Sequence, residues 1–201
     1  MSQTFKNKSE QKAQQILQAA EQLFCDQGFN NVSMDTVAKA AGVSKQTIYS
    51  HYGTKNDLFT AAVTAKCEIY QINDEIFSQQ RPLRDTLLDF CQRFHAMITS
   101  SEAIAIVRTC AAQAHSHPEL GALLYEAGPA KVSQLLQDFL RLQHETGKLQ
   151  VDNVEDASFQ LLLMTQSACK VQLDCGLEPP IPDNERYLQS CVDMFLSYYQ
   201  R

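Results

Sequence analysis

Between Gly42 and Gly53 the chain reads Val43-Ser44-Lys45-Gln46-Thr47-Ile48-Tyr49-Ser50-His51-Tyr52. Wound as a helix, the segment turns Ile48 and Tyr52 to one side and leaves Ser44, Lys45, Gln46, Thr47, Tyr49, Ser50 and His51 outside. Each of the outward residues can donate a hydrogen bond or stack on a ring. That is the chemistry needed to read base edges in a groove and to grip phosphates. The bland alternative is that any short amphipathic helix has a polar outer face, so the neighbouring elements have to decide.

They do so by spacing. Ala38 stands four residues before Gly42, where a small side chain lets two helices approach. Gly42 relieves the turn between them, and Ile48, six residues on, plugs the space. Ser33 and Ser44 are placed to cap two helices of about eight residues each, and Met34, Val37, Ala38 and Ala41 form the inner face of the first. A preceding helix over about 10–27 carries Ile16, Leu17, Ala20, Leu23 and Phe24 on one stripe and stops at Gly28. Two short helices joined by a Gly-containing turn and supported by a third make a helix-turn-helix at about 33–52.

Beyond Gly53 the elements lengthen. Thr54 with Asp57 is a capping signal that predicts a fourth helix to about residue 77. Pro82 opens a helix to about 99, with Leu83, Leu87, Phe90, Phe94 and Met97 inward. Further helices are expected over about 102–115, 118–146 (broken or kinked at Gly128-Pro129), 153–175 and 184–199. The Glu178-Pro179-Pro180-Ile181-Pro182 stretch reads as an extended connector. The fold class is all-α, with about nine or ten helices. A helix-turn-helix domain (homeodomain-like) occupies residues 1–55, and a second helical domain occupies 56–201.

The net charge of −6 argues against a polyanionic partner only as an average. Residues 1–55 carry six lysines against four acids, whereas the remainder carries 11 basic and 19 acidic residues. A basic head on an acidic body can still meet DNA, because field and counterion effects are local. No apolar run approaches the roughly 18–20 residues of a membrane span, and residues 1–15 are too polar for a secretory signal. These features point to a cytoplasmic protein without membrane contact. Seven cysteines without CxxC spacing fit reduced, mostly buried thiols.

Other chemistries are weaker. His115 and His117, with His95, invite a metal reading, but residues two apart on a helix face different ways and no carboxylate completes a set. Cys110 with His115 has no Gly-rich or strand-turn-helix setting that would support catalysis. No metal ligand, catalytic residue or cofactor is assigned. A non-regulatory DNA-binding protein shares the head but needs no pocket, and a helical enzyme remains the third option.

Residues 10–64 resemble the N-terminal domain of TetR/AcrR-family repressors. The residues that carry the resemblance are Ile16-Leu17-Gln18-Ala19-Ala20, Leu23-Phe24, Gly28-Phe29, Val37 through Ser44, Thr47 through Tyr52, Lys55 and Leu58-Phe59. More weakly, His117-Pro118-Glu119-Leu120 through Gly147-Lys148-Leu149 resembles AefR-like members. The resemblance implies a ligand-responsive repressor of double-stranded operator DNA that acts as a homodimer. It places Ser44, Lys45, Gln46 and Thr47 at bases in the major groove and Tyr49 and His51 at phosphates. Lys55 then holds a phosphate at the next helix's N-terminus, and Ser33 and Thr36 touch the backbone across the groove.

The resemblance also implies dimerisation through helices near 131–146 and 156–173. The second of these is apolar nearly all round, as suits a helix buried on two sides. A pocket for an unidentified small-molecule effector follows among helices four to seven and the start of that bundle. Its candidate lining is Tyr70, Phe90, Phe94, Met97, Arg108 and Gln160. Arg108 is the most pointed of these, since a guanidinium in an apolar run needs a partner.

Overall fold

The computed structural model describes residues 8–78, 80–178 and 184–200. The first element, α1 (Lys8–Gln27), buries Ile16, Ala20 and Phe24 at four-residue intervals. It stops where Gly28 takes a φ of 77°, and a 3-10 turn (Phe29–Asn31) follows. Next come α2 (Met34–Ala41) and α3 (Lys45–Tyr52), the helix pair expected from the spacing. Gly42 between them is left-handed, with φ 65° and ψ 32°. Its N–H closes on Ala38, and Val43 N donates to the Ala38 carbonyl at 3.0 Å. A β-carbon at Gly42 would meet nothing within 4 Å. The demand there is for the backbone angle and not for space.

That distinction is testable. Gly42→Asn should change stability by less than about 1 kcal/mol, since Asn tolerates the left-handed region. Gly42→Val should cost about 2 kcal/mol or more, since a β-branched residue is strained there. Denaturant midpoints of the two variants decide it, and equal losses would show that something other than φ is at stake.

The other helices are α4 (Lys55–Ile69), α5 (Glu75–Ser78), α6 (Leu83–Ile98), α7 (Ser101–Gln113) and α8 (Pro118–Ala127). They are followed by α9 (Pro129–Glu145), α10 (Val154–Asp174) and α11 (Asn184–Tyr199). The described residues form no strand, only a single antiparallel bridge between Leu149 and Gln200. The all-α class holds. Pro129 at the first position of α9 splits the 118–146 segment where Gly128-Pro129 called for it. The connector at 178–182 lies, beyond Glu178, outside the described residues.

One expected element is corrected. The fourth helix does not reach residue 77; it ends at Ile69, and α5 starts afresh at Glu75, which brings the α-helices among the described residues to eleven. Gln71 takes a φ of 55°, and Ile72 N reaches back to the Cys67 carbonyl at 2.9 Å, leaving Ile72 buried. Asn73 then accepts from Glu75 N and starts α5. Gln71 holds this left-handed position while its amide oxygen accepts from Arg93. Arg93 is itself fixed by Asp89 at 2.7 Å.

Packing divides the chain into two compact units, residues 1–65 with 105–127, and residues 66–104 with 128–201. The first core joins Ile16, Phe24, Phe29, Val37, Ile48 and Phe59 with Ile106, Cys110 and Leu120. It therefore draws on α4, α7 and α8 as well as on the three N-terminal helices. The second core runs through α6, α9, α10 and α11, with Phe90, Leu136, Leu140, Leu161 and Phe195 among its buried side chains. Four cysteines (Cys91, Cys110, Cys169 and Cys191) are buried, Cys175 is exposed, and all seven are free thiols.

Candidate nucleic-acid interface

The α2–α3 pair is held by caps, one buried plug and one tether. Ser33 Oγ accepts from Thr36 N at 3.0 Å, and the two hydroxyls lie 2.8 Å apart. Ser44 and Thr47 repeat the arrangement at 3.1 and 2.8 Å. Ile48 is fully buried between the helices. The Tyr52 hydroxyl donates to the Ala13 carbonyl of α1 at 3.0 Å, and burial pushes its pKa up. The outer face of α3 is thus aimed by contacts made on its inner face.

Of the candidate contact residues, Ser33, Ser44, Lys45, Gln46 and Tyr49 are exposed and Thr36, Thr47, His51 and Lys55 are half-buried. Ser33, Thr36, Ser44 and Thr47 are engaged as caps and cap partners, so any DNA contact by them shares a hydroxyl already in use. Lys45 Nζ sits 2.8 Å from Asp35 Oδ2 and 6.0 Å from the centre of the Tyr49 ring. The hydrogen bond to Asp35 raises the Lys45 pKa. Asp35 was not singled out in the sequence; ten residues separate the pair, and only the turn at Gly42 makes them neighbours.

Lys55 opens α4. Thr54 Oγ1 accepts from Asp57 N at 3.1 Å, and Asp57 accepts in return from Thr54 N at 3.0 Å, the reciprocal cap read from Thr54 and Asp57. The Lys55 ammonium lies 4.2 Å from the centre of the Phe29 ring, and burial lowers its pKa. Phe29 belongs to a triangle with Phe24 and Phe59, with ring centres 5.2 to 5.6 Å apart. A cation over an aromatic face is attracted by the ring's quadrupole, so the placement of Lys55 is built into the core beneath it. Phe29, like Asp35, gave no signal for this role in the sequence.

The expected effector-pocket residues divide. Phe90, Phe94 and Met97 are buried together in the second core, and Tyr70 packs against it. Gln160 is exposed on α10, where it accepts from the Tyr199 hydroxyl at 2.7 Å. Arg108 does not join them, because it is exposed on α7 and belongs to the first unit. Among the described residues no group of three His, Cys, Asp or Glu side chains could hold a metal, and His117 pairs with Glu119 at 2.9 Å. No helix of the described residues is long and apolar enough to cross a membrane.

Comparison with known proteins adds the following. Residues 16–62 match the family described as bacterial regulatory proteins, tetR family. Residues 85–201 match the C-terminal domain of AefR-like transcriptional repressors. A transcriptional activator from Mycolicibacterium smegmatis, FasR, is 33% identical over 84 residues, covering 42% of this chain and 36% of its own. The match likewise spans under two thirds of the length of other curated relatives. Among solved structures, the flavonoid-responsive regulator FrrA is 30% identical with a TM-score of 0.74, covering 95% of this chain and 98% of its own. A TetR-family regulator from Mesorhizobium loti MAFF303099, 24% identical, has a TM-score of 0.79 over 98% of this chain and 100% of its own, which speaks to the fold.

Proposed function

The chain belongs to the TetR family of bacterial regulatory proteins, with a C-terminal domain of the AefR-like repressor type, and from that premise we propose that it is a cytoplasmic homodimeric repressor that releases operator DNA when a small molecule binds its second domain. The observation that carries the reading is the α2–α3 geometry. A polar face of Lys45, Gln46, Tyr49 and His51 is presented on a helix whose inner side is locked by Ile48 and Tyr52. Residues 1–55 supply the DNA contacts and residues 56–201 the effector and dimer surfaces.

Each proposed contact has a physical role. Lys45, Gln46 and Thr47, with Ser44, meet base edges from the N-terminal turn of α3. Tyr49 and His51 reach phosphates. Lys55 adds its ammonium and the N-terminal end of α4, which favours an anion. Ser33 and Thr36 meet the backbone from the start of α2.

One such module buries too little surface for tight specific binding, and a two-fold dimer doubles it. The second face of α10 supports that reading. Phe159, Leu163 and Val171 are exposed in the single chain, Leu163 and Val171 each by 61%, while Leu161 on the other face is fully buried. Apolar side chains in this number on one exposed helix need cover, and a second copy of α9 and α10 provides it.

Effector binding then needs only to favour a conformation in which the two α3 helices no longer fit adjacent major grooves; a coupling of about 1–3 kcal/mol suffices. Tyr70, Phe90, Phe94 and Met97 are the proposed apolar lining, with Gln160 as a polar contributor; Arg108, exposed in the first unit, is left out of it. Because FrrA responds to flavonoids, flavonoids are the first effectors to try. The test is fluorescence anisotropy with an operator fragment selected by the protein from random DNA. Saturable, salt-sensitive binding that falls on adding an effector is expected, and no sequence-specific binding at any salt sinks the reading.

Asp35 supplies a prediction here. Its carboxylate competes with DNA for Lys45 and also repels phosphates. Asp35→Asn should tighten binding to non-specific DNA by a factor of about two to five at low salt and narrow the gap to the operator. Unchanged non-specific affinity would mean that Lys45 leaves Asp35 at no cost.

A further inference from the structure

Inside α10 the helix breaks at Ser167, whose φ of 62° and ψ of 168° lie in a region that belongs almost entirely to glycine. The amide of Cys169, which would complete the helix on the Thr165 carbonyl, goes to Ser167 Oγ at 3.2 Å. Other elements take the carbonyls ahead of the break. His95 of α6 binds the Thr165 carbonyl through Nδ1 at 2.9 Å, and Tyr187 of α11 donates to the Met164 carbonyl at 2.8 Å. Cys191 Sγ lies 3.7 Å from the same Met164 oxygen. Neither Gly nor Pro marks the break; it is maintained by α6 and α11.

His95 is 5% exposed, and its Nε2 is enclosed with no hydrogen-bonding partner among the described residues. The tautomer follows from its neighbour. A carbonyl can only accept, so Nδ1 carries the proton, and in the neutral ring Nε2 offers a lone pair. A buried acceptor without a donor is the exception in folded proteins and calls for an explanation.

Two groups near the break carry no unpaired charge. Lys170, the buried cation nearby in sequence, is taken up by Asp174 at 2.5 Å. Burial pushes the Cys91 thiol up to about 12, so that group is neutral as well. The body as a whole is acidic. Neither Lys170 nor Cys91 offers an unpaired cation to an anionic ligand, whereas a hydroxyl meets the free acceptor directly.

We infer that His95 Nε2, at the break in α10, is the polar anchor of the effector site and accepts a hydrogen bond from a neutral, largely apolar ligand bearing a phenolic or alcoholic O–H. The inference rests on the sensor reading above and names the ligand class for it. Because Ser167 holds α10 in a strained state through the carbonyls bound by His95 and Tyr187, a ligand seated on His95 acts on the helix proposed to carry the dimer contact.

The experiment uses the full chain, with naringenin as the phenol and fully O-methylated naringenin as the matched ether, both by titration calorimetry. His95→Asn is the variant, since its amide keeps a donor for the Thr165 carbonyl and lacks the second nitrogen. Saturable binding of naringenin is expected, about tenfold weaker binding of the ether, and loss of that discrimination in His95→Asn with its thermal midpoint little changed. Absence of saturable naringenin binding, equal binding of phenol and ether, or wild-type discrimination in His95→Asn overturns the inference. Operator binding by the ligand-free protein, followed in parallel, fails only if the regulator reading itself is wrong.

Discussion

Lys55→Ala is expected to weaken operator binding by about a hundredfold and to flatten its salt dependence by about two units of slope. Each phosphate contact contributes about 0.9 to the slope of log affinity against log salt. A two-fold dimer loses two contacts from one substitution. A charged hydrogen bond removed from both halves gives the hundredfold figure at about 1.5 kcal/mol each. Affinity and slope both have to move; a variant with wild-type slope would reduce Lys55 to a solvated charge at a helix end.

The pH dependence carries its own sign. Burial makes the Lys55 ammonium easier to deprotonate than an ordinary lysine. A phosphate seated on it restores the proton, so binding takes protons up, and affinity falls as pH rises through the range just below the ordinary lysine value. Arginine stays charged throughout. Lys55→Arg should therefore remove this part of the pH dependence.

Phe59→Ala is the second large effect. Phe59 is 2% exposed and closes the triangle with Phe24 and Phe29. Emptying such a site costs about 3–5 kcal/mol, out of a total of about 5–15 kcal/mol for a typical protein. The same substitution loosens the ring beneath Lys55, so DNA affinity should fall further than the loss of folded protein explains. Thermal unfolding together with amide exchange resolved over α1 to α4 checks both parts. A transition unmoved by more than a degree or two would mean the triangle is not what secures the head.

Much of the head was legible because its signals are local. Ser33, Ser44 and Thr54 cap the helices they precede, and Gly28 and Gly42 take positive φ where a stop was read. The outer face of α3 followed from knowing that Ile48 faces inward. The breaks at Gln71 and Ser167 were illegible for the opposite reason. Each is accompanied by contacts from distant elements, Gln71 by Arg93 of α6 and the carbonyls ahead of Ser167 by groups of α6 and α11. Helical spacing put Phe90, Phe94 and Met97 on the inward face of α6, where they are buried, but it could not tell that Arg108 turns outward on α7. The pairings of Lys45 with Asp35 and of Lys55 with Phe29 depend on turns, and no periodicity announces them.

Neither compact unit is continuous in sequence, since the first needs 105–127 as well as the residues before 66. That arrangement sets a timetable for synthesis. A nascent chain emerging at about 5–20 residues per second has all of α1 to α3 outside the ribosome well before Ile106, Cys110 and Leu120 arrive to close the core around Phe24 and Ile48. Until then those side chains wait uncovered, which is the interval in which chaperones would engage the chain. The same discontinuity governs chimeras. Grafting this head onto another body takes one crossover on each side of the 66–104 segment and a third after residue 127, and a single cut after the third helix would leave its core open.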